Sequence, residues 1–185
     1  MNSKDGENLA IETIGSHVMV AKQFKNDLPN LWYAMARTAP WADEEIPPAE
    51  DMYTTTLDQI VGFKKFETAQ LVVPLNQQSD GHQTDDTVFS YKGSDWQLVD
   101  DDDAIKEGAR YVYLETTVNP DDLPSAVYRQ VGVYRGLVPQ PTASDKIVLK
   151  PTEVKDMGML VGYDNRLFQR YADNITLKEQ FVLKF

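Results

Sequence analysis

The clearest pattern of apolar and polar positions lies in residues 175–185. Ile175, Leu177, Phe181, Leu183 and Phe185 fall on one side of an extended chain, and Thr176, Lys178, Gln180 and Lys184 fall on the other. Glu179 is the polar intruder on the apolar side and Val182 the apolar intruder on the polar side. This alternation predicts a strand paired inside a sheet or an interface, because a free edge this apolar would aggregate. Other strands are expected where apolar, aromatic and β-branched residues cluster: Leu31 to Ala36, Ile60 to Phe66, Ala69 to Val73 before Pro74, and Thr87 to Tyr91 before Gly93. Tyr111 to Val118 and Val127 to Val133 alternate well enough to be paired strands joined by Asn119 to Pro124.

Helical signals are fewer. Ser16 is a candidate N-cap for a helix running to about Asn26, with Val18, Ala21 and Phe24 at helical spacing and Pro29 as the stop. The acidic run Asp100 to Asp103 precedes Ala104 to Gly108, where acids suit a helix N-terminus and Gly108 suits the position after its last turn. Residues 1–15 read as a flexible arm ahead of a single β-rich domain spanning 16–185. Thr38 to Tyr53, with Pro40, Pro47 and Pro48, is expected to cross the surface as a loop, and the polar stretch 75–86 as a mobile one. Strands outnumber helices about seven or eight to two, which predicts a mainly β fold: a β-sandwich or partly open barrel with one packed N-terminal helix.

Composition narrows the function. The chain has no cysteine, which removes disulfides, thiolate nucleophiles and cysteine-based metal sites. His17 and His82 stand apart, outside any HxxxH or HExxH context. The formal net charge is −11, and no basic run exceeds Lys64-Lys65, so nucleic acid and anionic membrane are poor partners and a protein surface is the better one. No apolar run approaches the roughly 20 residues of a membrane span. The polar, acidic N-terminus does not resemble a signal peptide, which predicts synthesis in the cytoplasm.

Catalytic and cofactor motifs are missing. A calcium loop counted from Asp100 would need glycine at its sixth position and glutamate at its twelfth, where Ile105 and Tyr111 stand. There is no GxSxG, GxGxxG or GxxxxGK[ST], so neither a nucleophile elbow nor a phosphate cradle is expected. Asp43, Glu44, Glu45, Glu115, Asp121 and Asp122 lie in or near expected loops, where solvated acids are the norm. Gly158 and Gly162 are read as points of strand bending or close packing. The sequence therefore predicts no enzyme and no cofactor. What remains is aromatic residues beside loops. Trp41 is either a loop anchor or an interface anchor, and Tyr163, Phe168 and Tyr171, interleaved with Arg166 and Arg170 in an expected irregular stretch from Tyr163 to Asn174, suit either packing or protein contact.

Three segments together resemble one family. LWYAMARTAPWADEEIPP (Leu31 to Pro48), YVYLETTVNPDDLPSAVYRQVGVYRGLVP (Tyr111 to Pro139) and GMLVGYDNRLFQRYADNITLKEQFVLKF (Gly158 to Phe185) are similar to the opening, centre and close of baseplate wedge proteins of contractile-tailed phages. They cover about 40% of the chain. The family is typified by the dimeric wedge subunit of T-even phages, and the resemblance casts this chain as a minimal version. It implies a structural virion protein in the tail baseplate that binds other wedge proteins, as a homodimer or in a six-fold assembly. The candidate motif and interface residues are then Arg37, Pro40, Trp41, Tyr53, Tyr163, Asn165, Arg166, Phe168, Tyr171, Phe181 and Phe185. Alternatives are a neck or tail-terminator protein, and a carbohydrate-binding sandwich with Trp41, Tyr53 and Trp96 as its stacking platform.

Overall fold

The computed structural model describes residues 10–75, 87–124, 126–172 and 174–185. Nine residues of the expected arm, 1–9, and the loop residues 76–86, with His82, lie outside that description. The fold is mainly β, built on two five-stranded antiparallel sheets and, among the described residues, one α-helix.

Helix α1 (Ile14–Asn26) turns Val18, Ala21 and Phe24 inward, as their spacing predicts. Its cap is Thr13 rather than Ser16, because the Thr13 side chain accepts from the Ser16 backbone N–H while Ser16 Oγ donates to the Thr13 carbonyl, 2.7 Å away. Strand β1 (Leu31–Ala36) follows as expected and is buried along its whole length. Its odd residues, Leu31, Tyr33 and Met35, join the core between the sheets. Its even residues, Trp32, Ala34 and Ala36, join a second apolar cluster with Leu57, Phe63, Tyr134 and Leu149. A strand covered on both faces needs an unbroken apolar run, which LWYAMA supplies.

Strands β2 (Gly62–Lys65) and β3 (Thr68–Pro74) are near the expected positions. The β4 (Val88–Tyr91) to β5 (Ser94–Val99) hairpin adds a strand that the pattern did not mark. Its turn places both Lys92 and Gly93 at positive φ, 48° and 77°, the geometry that lets a two-residue loop reverse a twisted ribbon. Residues 104–108 do not form the expected helix but a series of turns. Among the acids before them Asp101 faces α1: its Oδ1 accepts from Lys25 at 2.5 Å and its carbonyl from Lys22 at 3.0 Å.

Strands β6 (Tyr111–Val118) and β7 (Ala126–Arg135) do not pair with each other, contrary to the expectation from their spacing. The 119–124 connection carries the chain from one sheet to the other, and Asp122 ties it down by accepting from buried Lys64 at 2.6 Å. After the short strands β8 (Val138–Pro139), β9 (Val148–Leu149) and β10 (Val154–Asp156) comes β11 (Met159–Tyr171), which replaces the irregular stretch expected from Tyr163 onward. Strand β12 (Leu177–Lys184) pairs with β6 along its whole length. The sheet orders are β11-β7-β1-β2-β9 and β12-β6-β3-β5-β4, so the terminal strand is outermost in its sheet. Gly162 is where the sheets meet closely, since a Cβ there would lie 2.7 Å from Leu183 Cδ2.

Candidate interaction surface

The chain between β1 and β2 is irregular but tightly held. Its neck is closed by the Arg37 N–H donating to the Asp58 carbonyl at 2.7 Å, and by Arg37 Nη1 on the Asp58 carboxylate at 2.8 Å. Gln59 Oε1 accepts from the Ala39 N–H at 2.7 Å and from Thr38 Oγ1 at 2.9 Å. From this neck the loop runs along β11. Trp41 Nε1 donates to the Arg166 carbonyl at 2.8 Å, while the Arg37 guanidinium stacks 3.9 Å above the indole. Arg129, almost wholly buried on β7, reaches the Glu44 carboxylate at 2.9 Å and the Thr38 carbonyl at 2.8 Å. Farther along, Asn165 Nδ2 donates to the Pro48 carbonyl and the Asn165 N–H to Glu50 Oε1, each at 2.9 Å. The Tyr163 hydroxyl accepts from the Asp51 N–H at 2.5 Å. Backbone groups of β11 that would otherwise be an open sheet edge are thus occupied by loop side chains.

Beneath this latch lies a partly buried charge network centred on Glu179. Arg166 Nη1 meets the Glu179 carboxylate of β12 at 2.9 Å, and Arg166 Nε meets Asp164 at 3.0 Å. Asp164 also accepts from Lys92 of the β4–β5 turn at 2.7 Å. Tyr128 donates to Glu179 at 3.3 Å. The Tyr33 hydroxyl is buried near Glu179 but makes no well-formed hydrogen bond. Burial first and then the Glu179 charge push the Tyr33 and Tyr128 hydroxyls well above the ordinary tyrosine range. Burial alone would lower Arg166, but the carboxylates of Glu179 and Asp164 more than offset it, so it is held firmly as a cation. The polar intruder in the terminal strand is therefore the acid that ties the two sheets together.

The motif segments around Arg37–Trp41 and Tyr163–Arg166, far apart in sequence, are one structural unit. A family model described as baseplate wedge 3 tail fiber network component matches residues 9–185. The chain belongs to that family. It is also similar to Virion protein 3 of Enterococcus phage phiEF24C, 36% identical over 175 residues that span 95% of this chain and 94% of that protein. This baseplate wedge 3 family member is a structural component of a phage baseplate or tail.

The wedge-family chain distributes the eleven candidate residues unevenly. Arg37, Pro40, Trp41, Tyr163, Asn165, Arg166 and Phe168 gather at the loop and β11. Trp41 is buried there and anchors the loop. Tyr53 stands open on the same loop at 81% exposure. Tyr171 and Phe181 are core residues, Tyr171 donating to the Asn119 carbonyl and Phe181 packing on Phe66. Phe185 packs on Phe24 of α1, ring centres 4.8 Å apart. Of the three rings of a supposed sugar platform, Trp41 is buried and Trp96 is half-buried against Tyr111, leaving only Tyr53 with an open face. Sequence reasoning missed Arg129 and the roles of Glu179 and Asp164, and it read Glu44 as a solvated loop acid where the structure pairs it with Arg129; Glu179's break in the apolar alternation was the one available signal.

Proposed function

We propose that this protein is a wedge subunit of a contractile-tail baseplate, patterned on the dimeric T-even wedge protein, and that its work is to bind other wedge subunits. Self-association as a homodimer, or incorporation into a six-fold assembly, is part of this reading. The observation that carries it is the latch. A long surface loop with exposed Ile46, Met52 and Tyr53 is pinned by Arg37, Trp41, Asn165 and Tyr163 rather than left free. Apolar and aromatic side chains held on a rigid support lose little conformational entropy on docking, which is the economy an assembly subunit needs. The buried network under the latch uses its charged groups in ion pairs across the sheets, a structural role.

The test is light scattering coupled to size-exclusion chromatography, on the protein alone and co-expressed with the other baseplate proteins of its phage. A dimer or larger species, or co-elution with a wedge protein, is expected. A monomer that co-elutes with none of them overturns the reading.

A further inference from the structure

The ladder between β11 and β7 shifts register twice, between Leu160 and Gly162 and again between Asn165 and Gln169, and the second shift is the wider one. Asn165 pairs with Gln130 and the next registered pair is Gln169 with Tyr128, so Arg166, Leu167 and Phe168 stand opposite Arg129 alone. Such a bulge everts its surplus residues. Here its base is fixed from both sides. The Arg166 side chain goes inward to Glu179 and Asp164, the Arg166 carbonyl is held by Trp41, and the Arg129 guanidinium lies 5.2 Å from the Phe168 ring centre. At its apex Leu167 and Phe168 are half exposed, at 51% and 52%. Past its base runs the 41–50 stretch of the loop, with exposed Ile46 and with Asp43 and Glu45, neither of which forms an ion pair among the described residues, while Asp51, Met52 and Tyr53 lie farther along β11, near Tyr163.

We propose, resting on the baseplate reading, that the Leu167–Phe168 bulge is a preformed docking knob for a different protein of the particle. That partner presents an apolar pocket rimmed by lysine or arginine. Phe168 supplies the buried anchor, an aromatic ring of the kind that dominates interface energetics, and Leu167 adds apolar surface beside it. The unpaired acids beside it supply the complementary rim. A second copy of this chain is the disfavoured occupant. A two-fold contact through this patch would set Asp43 and Glu45 of one subunit near the same acids of the other, in a chain of net charge −11.

The experiment places the photo-crosslinking residue p-benzoylphenylalanine at position 168 in phage assembled in the host, irradiates purified tails and identifies the joined peptides by mass spectrometry. The ring site is solvent-facing, so the fold survives the replacement. A crosslink to another virion protein, within a few residues of Lys or Arg, is expected. Its yield should fall about tenfold when Leu167→Ser is added, the loss of a buried apolar side chain from the contact, and fall also with Asp43→Asn and Glu45→Gln together. A crosslink to a second copy of this chain, or none in tails that contain the subunit, overturns the proposal while leaving the baseplate reading intact. Absence of the wild-type subunit from purified tails overturns the baseplate reading itself.

Discussion

At the scale of single residues the most consequential group is Glu179. A carboxylate on the apolar side of a terminal strand is tolerable only because Arg166 and Tyr128 meet it, since a buried charge without partners is destabilising. The pair need not be a net source of stability; removing one member is what harms the fold. Glu179→Ala is expected to destabilise by about 3 kcal/mol, because Arg166 is left with Asp164 alone in a half-dry site. The double variant Arg166→Met with Glu179→Leu should regain most of that loss. Urea unfolding followed by circular dichroism reads both. If the double variant is as unstable as the single one, the penalty does not come from a stranded charge.

At the scale of elements the latch loop tests whether an irregular segment here is rigid. Trp41→Phe keeps most of the packing but loses the donor to the Arg166 carbonyl, a loss of about 1 kcal/mol. Trp41→Ala also leaves a cavity and should free the loop for cleavage after Glu44 and Glu45 by a glutamyl endopeptidase under native conditions, where the wild type resists. Equal cleavage rates would mean that the indole does not hold the loop. The same segment marks the boundary of what was legible beforehand. β1 and β6 were readable to the residue because an apolar run or an alternation states its own burial. The prolines announced the loop, but nothing local announced that Trp41 would reach Arg166, because contacts across that many residues are set by topology. The 163–171 stretch hid as irregular because its bulge breaks the period and its charges serve buried partners. The acids 100–103 misled for the opposite reason, as their local helix-capping chemistry was outbid by Lys22 and Lys25 of α1.

At the scale of the whole molecule the two sheets are joined by apolar packing and by a polar network that crosses between them. Tyr33, Tyr128 and Arg166 come from the β11-β7-β1 side, and Glu179 with Tyr91 from the other. Burial first, then the Asp164 carboxylate, pushes the Tyr91 hydroxyl from its ordinary 10.0 up to about 12, and Tyr33 and Tyr128 move the same way. A tyrosine whose folded value is raised binds its proton more tightly in the native state, so its contribution is complete below the unfolded value. It is lost as pH climbs from about 10 through the folded values. The protein should therefore unfold steeply in alkali, with the late tyrosinate absorbance rising together with the loss of β circular dichroism rather than before it. Tyr33→Phe sharpens the test. Its hydroxyl makes no well-formed hydrogen bond and faces Glu179, so the variant should lose little stability at neutral pH and should unfold at higher pH than the wild type. Were the tyrosines to ionise smoothly while the β signal stayed intact, their protonated hydroxyls would not be needed to hold the joint between the sheets.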